Sequence, residues 1–197
     1  MTVPATMPVI RFSVLARVLH WLMAIMILGM LFIGVFMAAT VGPAYNTLLS
    51  LHRPMGILIL ALALVRLGNR LLVPPPPLPD SLPALQRAAA LGSHILLYAL
   101  MIAMPLVGWG MLSAGGYPVV FCKGVHLPPI LPHDPALFAL LRHVHTWLGL
   151  TLFAVIVIHL GAALLHALIL RDGVFPAMAS ARAGRRDPEP VQGDNRH

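Results

Sequence analysis

Four stretches of this chain are each long enough and apolar enough to cross a lipid bilayer, and that restricts its fold more than any other feature. About 20 apolar residues carry a helix across ~30 Å of hydrocarbon. Within hydrocarbon only helices and closed barrels satisfy every backbone donor and acceptor. The stretches run roughly from Val14 to Ala39, Leu51 to Leu72, Leu91 to Ser113 and Val144 to Leu170, and the last holds no Lys, Arg, Asp or Glu. Charged residues make up 10% of the chain and apolar ones 59%. A soluble surface needs about 25% charged residues, so this one is built to face lipid. The expected fold class is all-α, an integral membrane four-helix bundle over residues 14–178. A short segment, 1–13, precedes it, and a polar tail, 179–197, is expected to be disordered. The first apolar run is longer than the ~7–15 residues of a cleaved signal sequence, so it is read as a retained helix.

The connections are legible. Gly42-Pro43 breaks the first link, and the prolines from Pro74 to Pro77 form a stiff extended turn. Pro105 predicts a kink in the third helix. The longest connection, Gly115 to Arg142, is rich in Gly, Pro and apolar residues and is expected to lie against the membrane surface. No internal repeat is seen.

The net charge of +7 does not point to nucleic acid, because the basic residues sit at the ends of the apolar runs rather than in a stripe with aromatics. A cytoplasmic N-terminus puts Arg11, Arg17, Arg66, Arg70, Arg87, Arg171, Arg182, Arg185, Arg186 and Arg196 on one side. Arg53, Lys123 and Arg142 fall on the other. Cytoplasmic loops are enriched in Lys and Arg, so both termini are expected in the cytoplasm. Cys122 is the single cysteine, which excludes an internal disulfide and a thiolate cluster. No C-x-x-C-H occurs, so a haem would be held by ligation alone.

The histidines carry the chemistry. His20, His52, His94, His145, His159 and His166 fall in or at the ends of the spans, His143 just outside the fourth, and His126, His133 and His197 in loop or tail. Polar side chains inside a bilayer are costly and tend to face the bundle interior. His145 and His159 are 14 residues apart, close to four whole helical turns, hence on one face and about 21 Å apart along the axis. His166 follows on the same face. His52 opens the second helix at the depth of His145, and His20 lies near the depth of His159. Two histidine pairs at two depths, with no charged partner, suit two haems with both axial positions filled. A lone membrane histidine more often makes a helix–helix hydrogen bond, but three on one face with level partners are better explained by ligation. A divalent-metal permease is the competing reading, although such sites usually add acidic or thiol ligands. The dispersed methionines are read as packing, Trp147 as an interface anchor, and Trp21 as either an anchor or a haem neighbour.

The segments LARVLHWLMA, LLSLHRPMGILILALALVRLGNRL, LGSHILLYALMIAMPLVGWGM and HTWLGLTLFAVIVIHLGAALLHA together resemble the bacterial cytochrome b561 family, from about Arg11 to Met178. The resemblance implies a four-helix protein of the bacterial inner membrane with two haems b. It implies His20 with His159 as axial ligands on the cytoplasmic side and His52 with His145 on the periplasmic side. It implies electron exchange with the quinone pool, with ubiquinone as the partner. His166 and His94 then fall where a quinone site is expected. Some members resemble superoxide oxidases, which take an electron from superoxide and reduce ubiquinone. Those relatives carry a lysine after the second helix, where this chain has a proline-rich connection and Arg87. The basic residues Arg53, Lys123 and Arg142 would attract an anion or pair with haem propionates. Arg17, Arg66 and Arg70 could balance propionates on the other side. An alternative within the resemblance is a cytochrome anchor subunit that takes electrons from a soluble redox partner.

Overall fold

The computed structural model describes residues 12–77, 82–122, 125–172 and 174–179. The N-terminal segment up to residue 11, the tail from residue 180 and Lys123 lie outside the described residues, so the expected disorder of the tail falls there too.

Helix α1, Val14–Ala39, begins where the Ser13 hydroxyl accepts from the Ala16 backbone N–H at 3.2 Å. Helix α2, Pro43–Leu72, begins eight residues before the apolar run. Gly42 turns the chain at φ 85°, a conformation that costs glycine little, and Pro43 occupies the first turn, where its missing N–H leaves no bond unmade. The helix continues through Pro54, as α3, Ala84–Ala114, continues through Pro105. Helix α4, Pro135–Leu164, starts nine residues before the apolar run and runs into a π-helical turn, Leu165–Leu170. The Asp134 carboxylate caps it by accepting from Ala136 and Leu137. A short helix, α5, covers Val174–Ala179. In α2, α3 and α4 the helix begins before the apolar run, at Pro43, after Pro83 and at Pro135, because proline and capping residues set helix starts.

The long connection is not irregular. Strands β1, Val119–Cys122, and β2, Val125–Leu127, form an antiparallel hairpin with a register shift between Val120 and Cys122. β-Branched and aromatic residues in β1 favour a pleated, half-buried ladder. The loop is fastened to the end of α3. Trp109 Nε1 donates to the Pro128 carbonyl at 3.0 Å, and Ile130 N–H donates to Ser113 Oγ at 3.1 Å.

One apolar cluster holds the bundle at mid-depth: Met23 and Ile27 of α1, Ile59 and Ala63 of α2, Leu100 of α3 and Leu152 of α4. The outer faces remain apolar. Ile25, Ile158 and Ile169 are 70%, 68% and 72% exposed, which is a lipid-facing surface. The structure thus has the four-helix membrane architecture expected, with all four helices long and apolar enough to span. Helix α1 packs closely on α2, α3 on α4, and α2 on α3, whereas α4 stands off from α1 and α2. The candidate site lies across that wider separation.

Candidate functional site

Two groups of histidines meet at two levels of the bundle. At the first level, α2 presents His52 and α4 presents His145, with ring centroids 6.1 Å apart and planes at 69°. His52 does not open its helix. It is the tenth residue of α2, just as His145 is the eleventh of α4, and both are half-buried. His52 Nδ1 is buried without a hydrogen-bond partner, and His145 Nδ1 lies beside the Met104 backbone without a well-formed bond. A buried nitrogen left unpaired is costly, so its environment asks for a further group. The cavity beside the pair, about 70 Å³, is walled by Ile27, Met30, Gly56, Met101, Met104 and Pro105, a thioether-rich and otherwise hydrocarbon lining. Gly108 lets α3 approach the pair: a Cβ there would lie 3.1 Å from His145 Cε1.

At the second level three histidines converge. His159 of α4 faces His20 of α1 at 6.4 Å and 66°, and His94 of α3 at 5.8 Å and 65°. The expectation that these pairs lack a charged partner is corrected here. Arg66 reaches in from α2, with Nη2 3.1 Å from His20 Nδ1 and Nε donating to the Tyr98 hydroxyl at 3.1 Å. Arg70 stacks over the Tyr98 ring at 5.6 Å. Tyr98 carried no motif of its own. Its place four residues after His94, hence on the same helix face, was the available signal. Trp21 packs edge-on against His20 at 5.3 Å and donates from Nε1 to the Met178 carbonyl at 3.4 Å, so it is both a histidine neighbour and a tie to α5.

His166 stands apart from these groups, in the π-helical turn. Its Nδ1 is 2.6 Å from Asp172 Oδ2, a partner that apolar patterning could not mark because it lies past the end of the span. His143 and Arg142 fall within α4, not outside it, and are exposed. His133 is not merely solvated, because its Nδ1 is 3.0 Å from the Ala114 carbonyl and helps fix the loop. Arg53 has its Nε buried without a hydrogen-bond partner.

The separations test whether these residues suit a haem. A metal–imidazole bond is about 2 Å long and the ring nitrogen lies about 1.1 Å from the ring centre, so two imidazoles on opposite faces of one metal have centroids about 6.3 Å apart. The His52–His145 and His20–His159 separations match that figure, and the helices bearing each pair stand apart. Among the described residues no three His, Cys, Asp or Glu side chains are grouped to hold a bare metal ion.

The chain matches the prokaryotic cytochrome b561 family over residues 11–181. It belongs to that family. Among its relatives, cytochrome b561 homolog 2 of Escherichia coli K12 is 30% identical, over 85% of this chain and 90% of the relative. Cytochrome b561 homolog 1 of the same organism is 31% identical, over 87% and 98%. A probable superoxide oxidase of Yersinia pestis is 28% identical, over 88% and 98%. This cytochrome is therefore a membrane protein of electron transfer that binds b-type haem.

Proposed function

We propose that this cytochrome holds two haems b and passes electrons between a donor on the periplasmic side and the quinone pool. His52 and His145 would hold the outer haem, and His20 and His159 the inner one. The observation that carries the reading is the pair of ring separations, 6.1 and 6.4 Å, at two levels of one helix. When bound, a haem iron with both axial positions filled by imidazole supplies one-electron redox chemistry and leaves no position for a further ligand.

The side chains around the two sites have separate tasks. Met30, Met101 and Met104 give the outer site a soft, dry wall that keeps water from the ligand bonds. At the inner site Arg66, held by Tyr98, supplies a fixed positive charge beside His20 that suits a propionate. Ligating imidazoles donate their second N–H to a neighbour. Since Arg66 only donates, His20 would give up that contact if its Nε2 held the haem, and the guanidinium would then suit a propionate.

The location proposed is the bacterial inner membrane, with both termini cytoplasmic, on the imbalance of basic residues. The outer donor proposed is superoxide. The similarity to a probable superoxide oxidase supports it, as does the Arg53 guanidinium next in sequence to His52. Ubiquinone is the proposed acceptor, bound near His166 at the cytoplasmic end.

The test is a reduced-minus-oxidised spectrum of purified protein with a pyridine haemochrome assay. About two haems b per chain are expected. One should be lost in His52→Ala or His145→Ala and the other in His20→Ala or His159→Ala. A folded protein with a single haem that survives either pair of substitutions would refute the assignment.

A further inference from the structure

We infer that Asp172 is the positioning residue for proton delivery to the quinone, acting through His166. This rests on the quinone reading above. The Oδ2 atom of Asp172 lies 2.6 Å from His166 Nδ1, and its Oδ1 accepts from the Val174 backbone N–H at 3.2 Å. The carboxylate is thereby held from two directions. It fixes the imidazole with Nδ1–H toward Asp172 and Nε2 turned away. Both side chains are 18% exposed, shielded enough for a strong charge-assisted bond and still reached by water.

The backbone is shaped for this pair. The π-helical turn Leu165–Leu170 is stopped by Arg171 in the left-handed conformation, φ 50°, whose N–H closes on the His166 carbonyl at 2.9 Å. Single π turns inside α-helices cluster at functional sites, and a non-glycine residue at positive φ is a local cost that the surrounding structure must offset. The result brings Asp172, six residues after His166, back onto it. An unbroken α-helix would put residue 172 on another face. The Arg171 Nε donates to the Leu168 carbonyl, and α5 carries no titratable side chain.

A quinone takes two electrons, delivered one at a time by the cytochrome, and two protons, and becomes a quinol. At one carbonyl oxygen the proton comes from His166 Nε2: that N–H bond breaks, an O–H bond forms, and the ring keeps the proton on Nδ1. Water on the cytoplasmic side restores the Nε2 proton and supplies the one taken up at the other carbonyl oxygen.

The test uses the full-length, haem-loaded protein in detergent, pre-reduced with limiting dithionite and mixed with a short-chain ubiquinone analogue. Haem reoxidation is followed by stopped flow. Asp172→Asn is expected to lower the maximal rate about 10- to 100-fold, the range typical of lost orienting partners, with the half-saturating quinone concentration changed less. Asp172→Glu should recover part of the rate. His166→Gln should be at least as slow as Asp172→Asn, and the double variant no slower than His166→Gln, since Asp172 acts through His166. Phe12→Pro removes the bond by which the Phe12 N–H holds the Ala177 carbonyl of α5, touches neither Asp172 nor His166, and is expected to retain the wild-type rate. Equal slowing in Phe12→Pro and Asp172→Asn would make Asp172 a fastener of α5 and overturn the inference, as would a wild-type rate in Asp172→Asn. A wild-type protein that ferricyanide reoxidises and the quinone does not would overturn the quinone reading itself.

Discussion

Gly108 and Gly34 set up a comparison that the haem reading must survive. Both are helical glycines that face a candidate ligand. An alanine Cβ at position 108 would stand 3.1 Å from His145 Cε1 and 3.4 Å from Nδ1, whereas one at position 34 would stand 3.9 Å from His52 Cε1. Carbon atoms are comfortable at about 3.5–4.0 Å, so Gly34→Ala makes an ordinary contact and Gly108→Ala is short by roughly half an ångström. His145 cannot easily yield if its Nε2 is bonded to iron. Overpacking of this kind costs about 1–3 kcal/mol. Against that, alanine is favoured over glycine within a helix by about 0.5–1 kcal/mol. Gly34→Ala should therefore be neutral to slightly stabilising, and Gly108→Ala should be less stable than it by about 1–3 kcal/mol. The assay is chemical unfolding in detergent, followed at the haem absorbance, with haem content and low-spin electron paramagnetic resonance of the outer centre. Gly108→Ala should shift the outer signal and leave the inner one. If Gly34→Ala perturbs the outer centre as much as Gly108→Ala, the geometry argued for His145 is wrong.

Other consequences are simpler. His94→Ala should retain about two haems per chain by pyridine haemochrome while His20→Ala loses one; the reverse would make His94 the partner of His159. Ser113→Ala leaves the Ile130 N–H unpaired beneath the hairpin and should cost about 1–3 kcal/mol, measured by thermal unfolding in detergent. Asp134→Ala removes the cap that accepts from Ala136 and Leu137 and should cost about 0.5–2 kcal/mol in the same measurement, with Asp134→Asn closer to wild type.

The sequence by itself determined the class of fold and the number of helices. Hydrocarbon leaves a chain so few options that four apolar runs can only become four spans. It also set the rotational phase of His145 and His159 along α4, since that depends on helix geometry alone. Its helix starts were short by seven to nine residues in α2, α3 and α4, because the bilayer writes a signal only on the residues it touches. The hairpin beneath Trp109 and Ser113 was hidden for the same reason. What lies between elements distant along the chain required the tertiary structure. Arg66 reaches His20 across 46 positions and Tyr98 across 32, and no periodicity specifies which helix an arginine will enter. The closeness of both His20 and His94 to His159, and the pairing of Asp172 with His166, follow from how far α4 stands off from α1, how closely it packs on α3, and the turn that ends it. Packing and backbone strain decide those distances, and neither is a property of any single segment.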